Sequence, residues 1–387
     1  MSRRLSPVDL PGLRSARGVA TLLVVLALVA ACTGTQASPS APGSSAAATT
    51  GPSAAAAACT EEAITAAESV LQEQAKQEPD LHYLTVAFPE TADKLHAAFK
   101  AKYDLDVTST RITGAQALAR LVGDNIAGNF TNAAAIGGAN PNMDPLVESG
   151  DLLAITKDNA ASLIPRSCQV DQRFVGTRGL ATVWYAYPAS QFVVNTDLVP
   201  EDMYPETWED LIDPYWVGKI PTQDPRLITP TLGIFEALLE TYGPDYLTTY
   251  KDNVVGWHQS AATMMPLVAA GENPACWCNA ATFGPFLAAN PDAPVKLVNM
   301  TGPVLYSSTD VVINAKSTSQ AAMRLFLSWI YSSEGQGLLN PDFGAPSLRE
   351  DTTIAGTVPI PADATLLDSQ KSYTNRTTIL TLLGIPD

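Results

Sequence analysis

The sequence predicts a protein of the α/β class, and three observations near the start of its folded part carry that prediction. Residues 81–88 (LHYLTVAF) form a short apolar and aromatic run that is typical of a buried strand. A Pro-Glu-Thr sequence at 89–91 then begins a helix over 92–103, and a second strand begins at 105–107. Strand, helix and strand in that order indicate a parallel α/β unit.

The other elements follow from hydrophobic periodicity and from helix start and stop signals. An amphipathic helix over 61–77 is predicted because Thr60 supplies an N-cap and Pro79 ends it. We assign 226–231 to a polar loop and 276–283 to a strand and loop. The remaining predictions are a helix over 114–127, a strand over 132–136, an extended stretch over 182–195, helices over 233–242, 245–259 and 261–270, strands over 294–300 and 305–316, and a helix over 320–333.

Length and charge narrow the class of protein. The chain has 387 residues, of which about 330 follow residue 58, enough for two substantial lobes. Its formal charge is −16. Removal of residues 1–31 would take away four Arg and one Asp and leave a charge of about −19. Because such a surface repels phosphate-rich partners, we expect no nucleic acid as a partner.

The N-terminal segment has the layout of an export signal. Several arginines precede an apolar run from Val19 to Ala31, which is too short to span a bilayer. The run ends in Val-Ala-Ala-Cys at 29–32, which resembles the lipobox of bacterial lipoproteins. The resemblance implies that residues 1–31 are a signal peptide and that lipid is attached to the sulfur of Cys32. The alternative is an ordinary signal peptide followed by an incidental cysteine.

Residues 32–58 predict a tether. The stretch from 33 to 58 contains only Ala, Ser, Thr, Pro, Gly and Gln, without charge or large apolar side chains. Because it cannot bury enough surface to offset its chain entropy, we expect it to be disordered and to span about 25–30 Å. Residues 59–79 would then form the first helix of the folded body. This order of anchor, tether and body is that of a protein held on the extracytoplasmic face of the cell membrane.

The cysteines that follow Cys32 predict disulfides. They are Cys59, Cys168, Cys276 and Cys278, an even number in an exported chain. Four cysteines allow three pairings, which the sequence does not distinguish. We favour Cys59–Cys168, with Cys276 and Cys278 either paired locally or reduced. Two sulfurs do not make a zinc site, and no metal is predicted.

Three stretches in order resemble one family. The first is PETWEDL at 205–211, continued by DPYW at 213–216 and GKI at 218–220; the second is FVVNT at 192–196; the third runs from Ala321 to Leu339 and contains Ser-Glu-Gly-Gln. Together they resemble the bacterial extracellular solute-binding proteins of ABC transporters, in the cluster of ferric-iron, phosphonate and polyamine receptors. The resemblance covers roughly 80–345.

The resemblance implies a two-lobed type II periplasmic-binding-protein fold in which two hinge strands cross between the lobes. Lobe 1 would comprise 80–186 and 303–345, and lobe 2 would comprise 190–302. Residues 346–387 would wrap back as coil with a final helix over 377–383. The protein would be a monomer that captures a small solute and delivers it to an ABC permease in the membrane.

Catalytic machinery is not evident in the sequence. The three histidines, His82, His96 and His258, lie in apolar or helical contexts, and no nucleophile elbow, zinc-protease helix or phosphate-binding loop occurs. We therefore predict that the protein is not an enzyme and carries no cofactor. The alternatives are a lipid-anchored enzyme, or a surface interaction protein, that uses the same fold.

Candidate ligand-binding residues lie in loops expected at the carboxyl ends of strands, where helix N-termini attract anions. Gly138 would admit a ligand close to the backbone, and Arg226 would supply a positive charge. The complete set is Glu90, Thr91, Gly138, Asn140, Tyr185, Tyr187, Arg226, Thr229, Trp277 and Tyr306.

The segment 276–283 separates this chain from ferric-iron receptors. Such receptors present neighbouring tyrosines there, whereas this sequence reads CWCNAATF. Phenolate oxygen is a hard ligand that suits Fe³⁺, so its absence disfavours iron. If Arg226 points into the cleft, we expect an organic anion such as a phosphonate, carboxylate or sulfonate. If it points outward, a polyamine bound with the help of Glu90 remains open.

Overall fold

The computed structural model describes residues 59–112, 115–137, 144–176 and 181–386. The signal peptide, Cys32 and the tether therefore lie outside the described residues, as do Gly138 and Asn140. Among the helices of the described residues, none has the length and apolar character that crossing a bilayer requires.

Helices and strands alternate along the described residues. The helices are α1 (Glu61–Ala75), α2 (Pro89–Tyr103), α3 (Ala115–Ile126), α4 (Asp144–Glu148), α5 (Ala160–Leu163), α6 (Thr229–Tyr242), α7 (Pro244–Asn253), α8 (Ala261–Ala269), α9 (Ala280–Ala289), α10 (Gln320–Ile330), α11 (Ser333–Leu339), α12 (Ser369–Thr374) and α13 (Arg376–Leu382). The strands are β1 (Leu81–Thr85), β2 (Val107–Arg111), β3 (Asn132–Ile136), β4 (Thr182–Pro188), β5 (Gln191–Asn195), β6 (Ile220–Gln223), β7 (Val254–His258), β8 (Ala275–Cys276), β9 (Val295–Asn299), β10 (Leu305–Ile313) and β11 (Thr365–Leu366).

The larger sheet has the order β11-β10-β3-β1-β2, and β4 pairs with β10. Strands β1, β2 and β3 run parallel, as expected for strands that alternate with helices. Strand β10 is antiparallel to both β3 and β4. The core of this part contains the aromatic residues Phe99, Phe326 and Trp329, with ring centroids 5.1–5.8 Å apart.

The smaller sheets lie in the middle of the chain. Strand β5 pairs antiparallel with β8 and β9, and β6 pairs parallel with β7. A separate hydrophobic core forms here around Trp208, Trp216, Phe235 and Trp277. Separate sheets with separate cores agree with the expectation of two lobes. The lobe boundaries themselves stay predictions.

The chain passes between the two parts along adjacent strands. The extended stretch predicted over 182–195 is two strands, β4 and β5, interrupted at Ala189 and Ser190. The return path is β9 followed by β10. Hydrogen bonds continue through the junction, because the amide of Ala189 donates to Leu305 O at 2.8 Å and the amide of Met300 donates to Ser190 O at 2.9 Å. This is the crossing that the sequence predicts.

Three element predictions were wrong. Residues 254–258 form strand β7 instead of continuing a helix, because Val254 and Trp257 favour extended backbone and pair with β6. Residues 280–283, predicted as part of a strand and loop over 276–283, belong to helix α9, since the side chain of Asn279 caps it by accepting from the amide of Thr282 at 3.2 Å. Helix α6 begins at Thr229, four residues earlier than predicted, with Pro230 in its first turn.

Both disulfides are formed in the structure. Cys59 is bonded to Cys168, and Cys276 is bonded to Cys278. The first bond fixes the start of α1 beside the 165–169 turn. There Arg166 also pairs with Glu68, through two N–H···O contacts of 2.8 and 3.2 Å. The folded body is therefore cross-linked within one residue of the predicted tether.

The C-terminal residues connect the two parts. The backbone of Leu348 accepts from Asp171, and Arg173 donates to the carbonyls of 361, 362 and 364. Strand β11 pairs with β10, and α12 and α13 then reach α6 and α7. At α6, Glu236 is buried and accepts a hydrogen bond from the side chain of Asn375 at 2.8 Å.

Glu236 provides a pH-dependent prediction. Burial raises its pKa, opposed by the hydrogen bond from Asn375 and by the charge of Lys371. The folded state therefore binds this proton more tightly than the unfolded state. The contribution of this proton to the free energy of unfolding is therefore present below the ordinary carboxyl pKa. It is lost as the pH rises through the raised pKa of Glu236. We expect Glu236→Gln to unfold at a higher temperature than the wild type at pH 7.5 and at about the same temperature near pH 4, as measured by thermal unfolding.

The matched control is Glu73→Gln on α1, where the carboxylate is exposed and paired with Lys76. It should not show the pH-dependent gain. An equal effect of Glu236→Gln at both pH values would contradict the role assigned to its ionisation.

Candidate functional site

The carboxyl ends of β1 and β2 lie side by side, because the two strands are parallel and Thr85 pairs with Arg111. Phe88 follows β1, and about half of its side chain is exposed. The guanidinium of Arg111 lies over the Phe88 ring, 4.8 Å from the centroid. Among the described residues, Arg111 forms no salt bridge. A cation and an aromatic ring are thus presented together at this edge of the larger sheet.

Helix α2 begins beside this pair. Phe88 is its N-cap residue and supplies no side-chain hydrogen bond to the first turn. The first amides of a helix have no intrahelical partner, so this end carries a partial positive charge. The hydroxyl of Thr91 is already engaged, since it donates to Asp342 Oδ2 at 2.7 Å. Glu90 is exposed.

The turn at 340–344 contacts both the start of α2 and the part of the molecule that contains the smaller sheets. Besides Thr91, Asp342 binds Lys94 Nζ at 2.8 Å. Gly344 has a φ of +56°, and a Cβ at this position would lie 3.0 Å from the Cβ of Ala280. Ala280 is the first residue of α9, and its amide donates to Gln191 Oε1 at 2.8 Å. One turn therefore touches the N-terminal ends of α2 and α9.

A groove of about 370 Å³ adjoins Arg111 between α2 and β2. Its wall includes Ala87, Pro89, Asp93, His96, Ser109 and Arg111. A larger cavity of about 690 Å³ lies elsewhere, between 168–173 and 346–362. The guanidinium groups in that larger cavity are occupied, since Arg173 pairs with Asp171 and Arg349 pairs with Asp351. The smaller groove is the one that adjoins the carboxyl ends of β1 and β2.

The three candidate tyrosines lie on the crossing strands. Tyr185 stacks on Phe343 with ring centroids 4.2 Å apart. Tyr185 and Tyr306 are buried, and Tyr187 is half-buried. Burial raises the pKa of all three phenols. The rings therefore support the crossing as neutral groups, next to the turn that meets both helices.

The structure places Trp277, one of the predicted ligand-binding residues, in a core. Its ring is 5.3 Å from that of Trp208 and 5.4 Å from that of Phe235, between centroids. Its indole N–H donates to Ala189 O at 3.4 Å. The side chain is 6% exposed. Trp277 thus joins the second core to the crossing strands instead of facing solvent.

Arg226 is also engaged within the protein. Its Nε and one terminal nitrogen donate to the two oxygens of Asp224 at 2.7–3.2 Å. Although burial opposes ionisation of Asp224, these hydrogen bonds hold its pKa below the ordinary value. The remaining nitrogen lies 3.5 Å from Pro386 O. Thr231 donates to Gln223, and Thr229 is exposed in the first turn of α6. Of the two predicted residues in this segment, Arg226 and Thr229, only Thr229 offers an open side chain.

Two of the three histidines, His82 and His96, have structural partners. Both ring nitrogens of His82 lie within hydrogen-bond distance of Thr108 and Thr110. His96 Nε2 lies 3.1 Å from the hydroxyl of Tyr83, and burial lowers the pKa of His96. Within the described ranges, no group of three or more His, Cys, Asp or Glu side chains is placed to hold a metal ion.

Arg111 is not among the residues that the sequence predicts for the site, because the sequence marks the beginning of the second strand at 105–107 but not its end. The available signal was its place as the last residue of the second parallel strand, where ligands of open α/β sheets bind.

Comparison with known proteins decides the family. Residues 138–375 match the family model described as bacterial extracellular solute-binding protein. The chain belongs to the bacterial extracellular solute-binding proteins. Members of this family bind small solutes outside the membrane and deliver them to the permease of an ABC importer. No curated protein sequence matches this solute-binding protein.

Solved structures of similar fold include three informative ones. Iron-bound HitA from Pseudomonas aeruginosa is 17% identical and has a TM-score of 0.63, over 79% of this chain and 99% of that chain. AfuA from Actinobacillus pleuropneumoniae, with fructose-6-phosphate bound, is 20% identical and has a TM-score of 0.56, over 78% and 96%. The substrate-binding protein of an ABC transporter from Agrobacterium tumefaciens is 15% identical and has a TM-score of 0.63, over 79% and 94%. At these identities the likeness establishes the fold, and the predicted type II periplasmic-binding fold is confirmed.

Proposed function

We propose that this solute-binding protein captures a small organic anion and delivers it to an ABC importer. The observation that carries the proposal is Arg111, whose exposed guanidinium lies at the carboxyl end of β2 beside the start of α2. A carboxylate or phosphate placed there would receive charge-assisted hydrogen bonds from the guanidinium and would be favoured by the helix N-terminus. The Phe88 ring would contact the apolar part of such a ligand.

Arg111 suits this role better than Arg226, the residue favoured by the sequence. The guanidinium of Arg226 already binds both oxygens of Asp224, so a ligand would have to displace an internal carboxylate. Among the described residues, the guanidinium of Arg111 interacts only with the aromatic ring of Phe88. The structural relative AfuA has a sugar phosphate bound, and sugar phosphates belong to the class that we propose here.

The test is a binding panel followed by one substitution. Citrate, hexose phosphates, phosphonates and spermidine are added separately, and thermal unfolding is measured with each. We expect one or more organic anions to raise the melting temperature. For the best anion, Arg111→Ala should weaken binding in calorimetry by about tenfold to a hundredfold, since a hydrogen bond to a charged group contributes about 1.5–3 kcal/mol.

The matched control is Arg120→Ala, because Arg120 is also exposed but pairs with Asp124 on α3. The affinity of this variant for the anion should equal that of the wild type. Stabilisation by spermidine alone would instead support a polyamine receptor. Recovery of the bound anion unchanged after prolonged incubation distinguishes a receptor from an enzyme that uses this fold.

We also propose that the protein is anchored by lipid on Cys32, so that it works on the extracytoplasmic face of the cell membrane. The support is the lipobox-like sequence at 29–32 and the tether composition of 33–58. In the native host, labelled palmitate should be incorporated into the wild type, and the protein should sediment with membranes. Cys32→Ala should abolish the label and release the protein. Retention of the label by Cys32→Ala would contradict this anchor.

A further inference from the structure

We propose that reduction of the Cys276–Cys278 disulfide creates a binding site for Cu(I), formed by the two cysteine sulfurs and the thioether of Met265. This site is independent of the proposed solute site. The observation behind it is the placement of a third sulfur: Met265 Sδ lies 3.9 Å from Cys276 Sγ. Cys276 is in β8 and Met265 is in α8, so separate elements bring the sulfurs together.

The spacing fits a metal with three sulfur ligands. With metal–sulfur bonds of about 2.3 Å, a trigonal planar arrangement places neighbouring sulfurs about 4.0 Å apart. The Met265–Cys276 distance already has this value. After reduction, Cys278 Sγ must come to a similar distance from both Cys276 Sγ and Met265 Sδ. Thiolate and thioether ligands are soft and select Cu(I) over hard cations such as Mg²⁺ or Ca²⁺.

The surroundings would retain a soft monovalent ion. Met265, Cys276 and Cys278 are each at most 2% exposed and share a hydrophobic cluster with Met264 and Val268. Cys278 Sγ also lies 3.8 Å from Ala261 O, at the first residue of α8. An apolar shell excludes water and thereby slows oxidation of the bound ion and of its ligands.

Helix α9 provides the entry path. It begins two residues after Cys278, and Phe283, Phe286 and Leu287 of this helix pack against the hydrophobic cluster that contains the three sulfurs while remaining partly exposed. None of its described residues is fully buried, and it contains Gly284 and Pro285, which weaken helices. A helix held by so few buried contacts opens at low cost, so that a reductant and then the ion can reach the sulfurs.

The chemistry balances when a dithiol is the reductant. Its two thiols become a disulfide and transfer two electrons and two protons, and the Cys276–Cys278 bond becomes two thiols. Binding of Cu(I) then releases the two thiol protons to solvent, because thiolates are the ligands. Met265 contributes a lone pair and loses no proton.

The experiment treats the folded protein with a dithiol without oxygen, removes the reductant, and titrates Cu(I) held by bicinchoninate. The reduced wild type should withdraw one more equivalent of Cu(I) than reduced Cys276→Ser/Cys278→Ser, and at least one more than the oxidised wild type. This double variant keeps Cys59 and Cys168, so it measures copper bound by their thiols. X-ray absorption should show three Cu–S bonds of about 2.3 Å.

Met265→Leu tests the third ligand while keeping the side-chain volume. It should weaken Cu(I) binding at least about tenfold, the loss that even an outer partner of a metal ligand produces. Met323→Leu, a buried methionine of the other core, should bind as the wild type does. The proposal is overturned if the native disulfide resists reduction, if the extra equivalent is missing, or if Met265→Leu binds as tightly as the wild type.

Discussion

Cys59→Ser/Cys168→Ser should lower the free energy of unfolding by about 5 kcal/mol, because this disulfide closes a long loop. The two cysteines are 109 residues apart in sequence. Cross-linking them removes many conformations from the unfolded chain, and the loop-closure relation gives about 4.8 kcal/mol for a loop of this size. Urea unfolding followed by far-UV circular dichroism measures the difference.

The second disulfide is the internal control. Cys276 and Cys278 are separated by two positions, and the same relation gives only about 1.6 kcal/mol for a three-residue loop. Cys276→Ser/Cys278→Ser should therefore be clearly less destabilised. Equal losses of unfolding free energy in the two double variants would show that loop closure is not how the Cys59–Cys168 bond stabilises the protein. In that case the loss in Cys59→Ser/Cys168→Ser would have to come from the packing of α1.

Trp277→Ala should lower the free energy of unfolding by about 3–5 kcal/mol, the range for loss of a large aromatic side chain from a core. The indole is surrounded by Trp208, Phe235 and Tyr250, and its N–H reaches the crossing segment at Ala189. Its removal leaves a cavity that rigid aromatic neighbours fill poorly. Denaturant unfolding should show a lower midpoint.

Tyr373→Ala is a suitable control, because this aromatic residue is 59% exposed and should change stability by less than about 0.5 kcal/mol. If Trp277→Ala does not accumulate as folded protein, Trp277→Phe keeps most of the volume and should give a smaller measurable loss. A loss below about 1 kcal/mol for Trp277→Ala would argue that the indole is not part of the core.

Much of the fold follows from local patterns. Residues 132–136 form a strand with the predicted ends, because a short apolar run between turn signals has few alternatives. The cap at Thr60 was also found correctly, since its hydroxyl accepts from the amide of Ala63 at 3.2 Å. The prediction for 254–258 was wrong because no signal in the sequence marks the boundary between the preceding helix and this short apolar strand. Only pairing with β6 shows the strand.

The site was less predictable than the fold. Candidate loops were chosen as strand ends, and that rule placed Glu90 and Thr91 at a helix start as expected. Thr229 was expected in a loop and instead lies in the first turn of α6. The rule does not say which side chains already have partners. Thr91 is engaged by Asp342, 251 positions away in sequence. Contacts of such separation leave no trace in a local pattern.

By itself, the sequence determined the α/β alternation, the crossing between two parts and the solute-binding family. These follow from periodicity, helix caps and short runs of residues, each of which acts within a few positions of the chain. Only the tertiary structure decided that Arg226 is bound to Asp224, that Trp277 lies in a core and that Arg111 is presented beside Phe88. Whether a polar or aromatic side chain is available to a ligand depends on the conformation of the chain around it and on what packs against it. Packing joins residues that are distant in sequence, as Trp277 and Trp208 are.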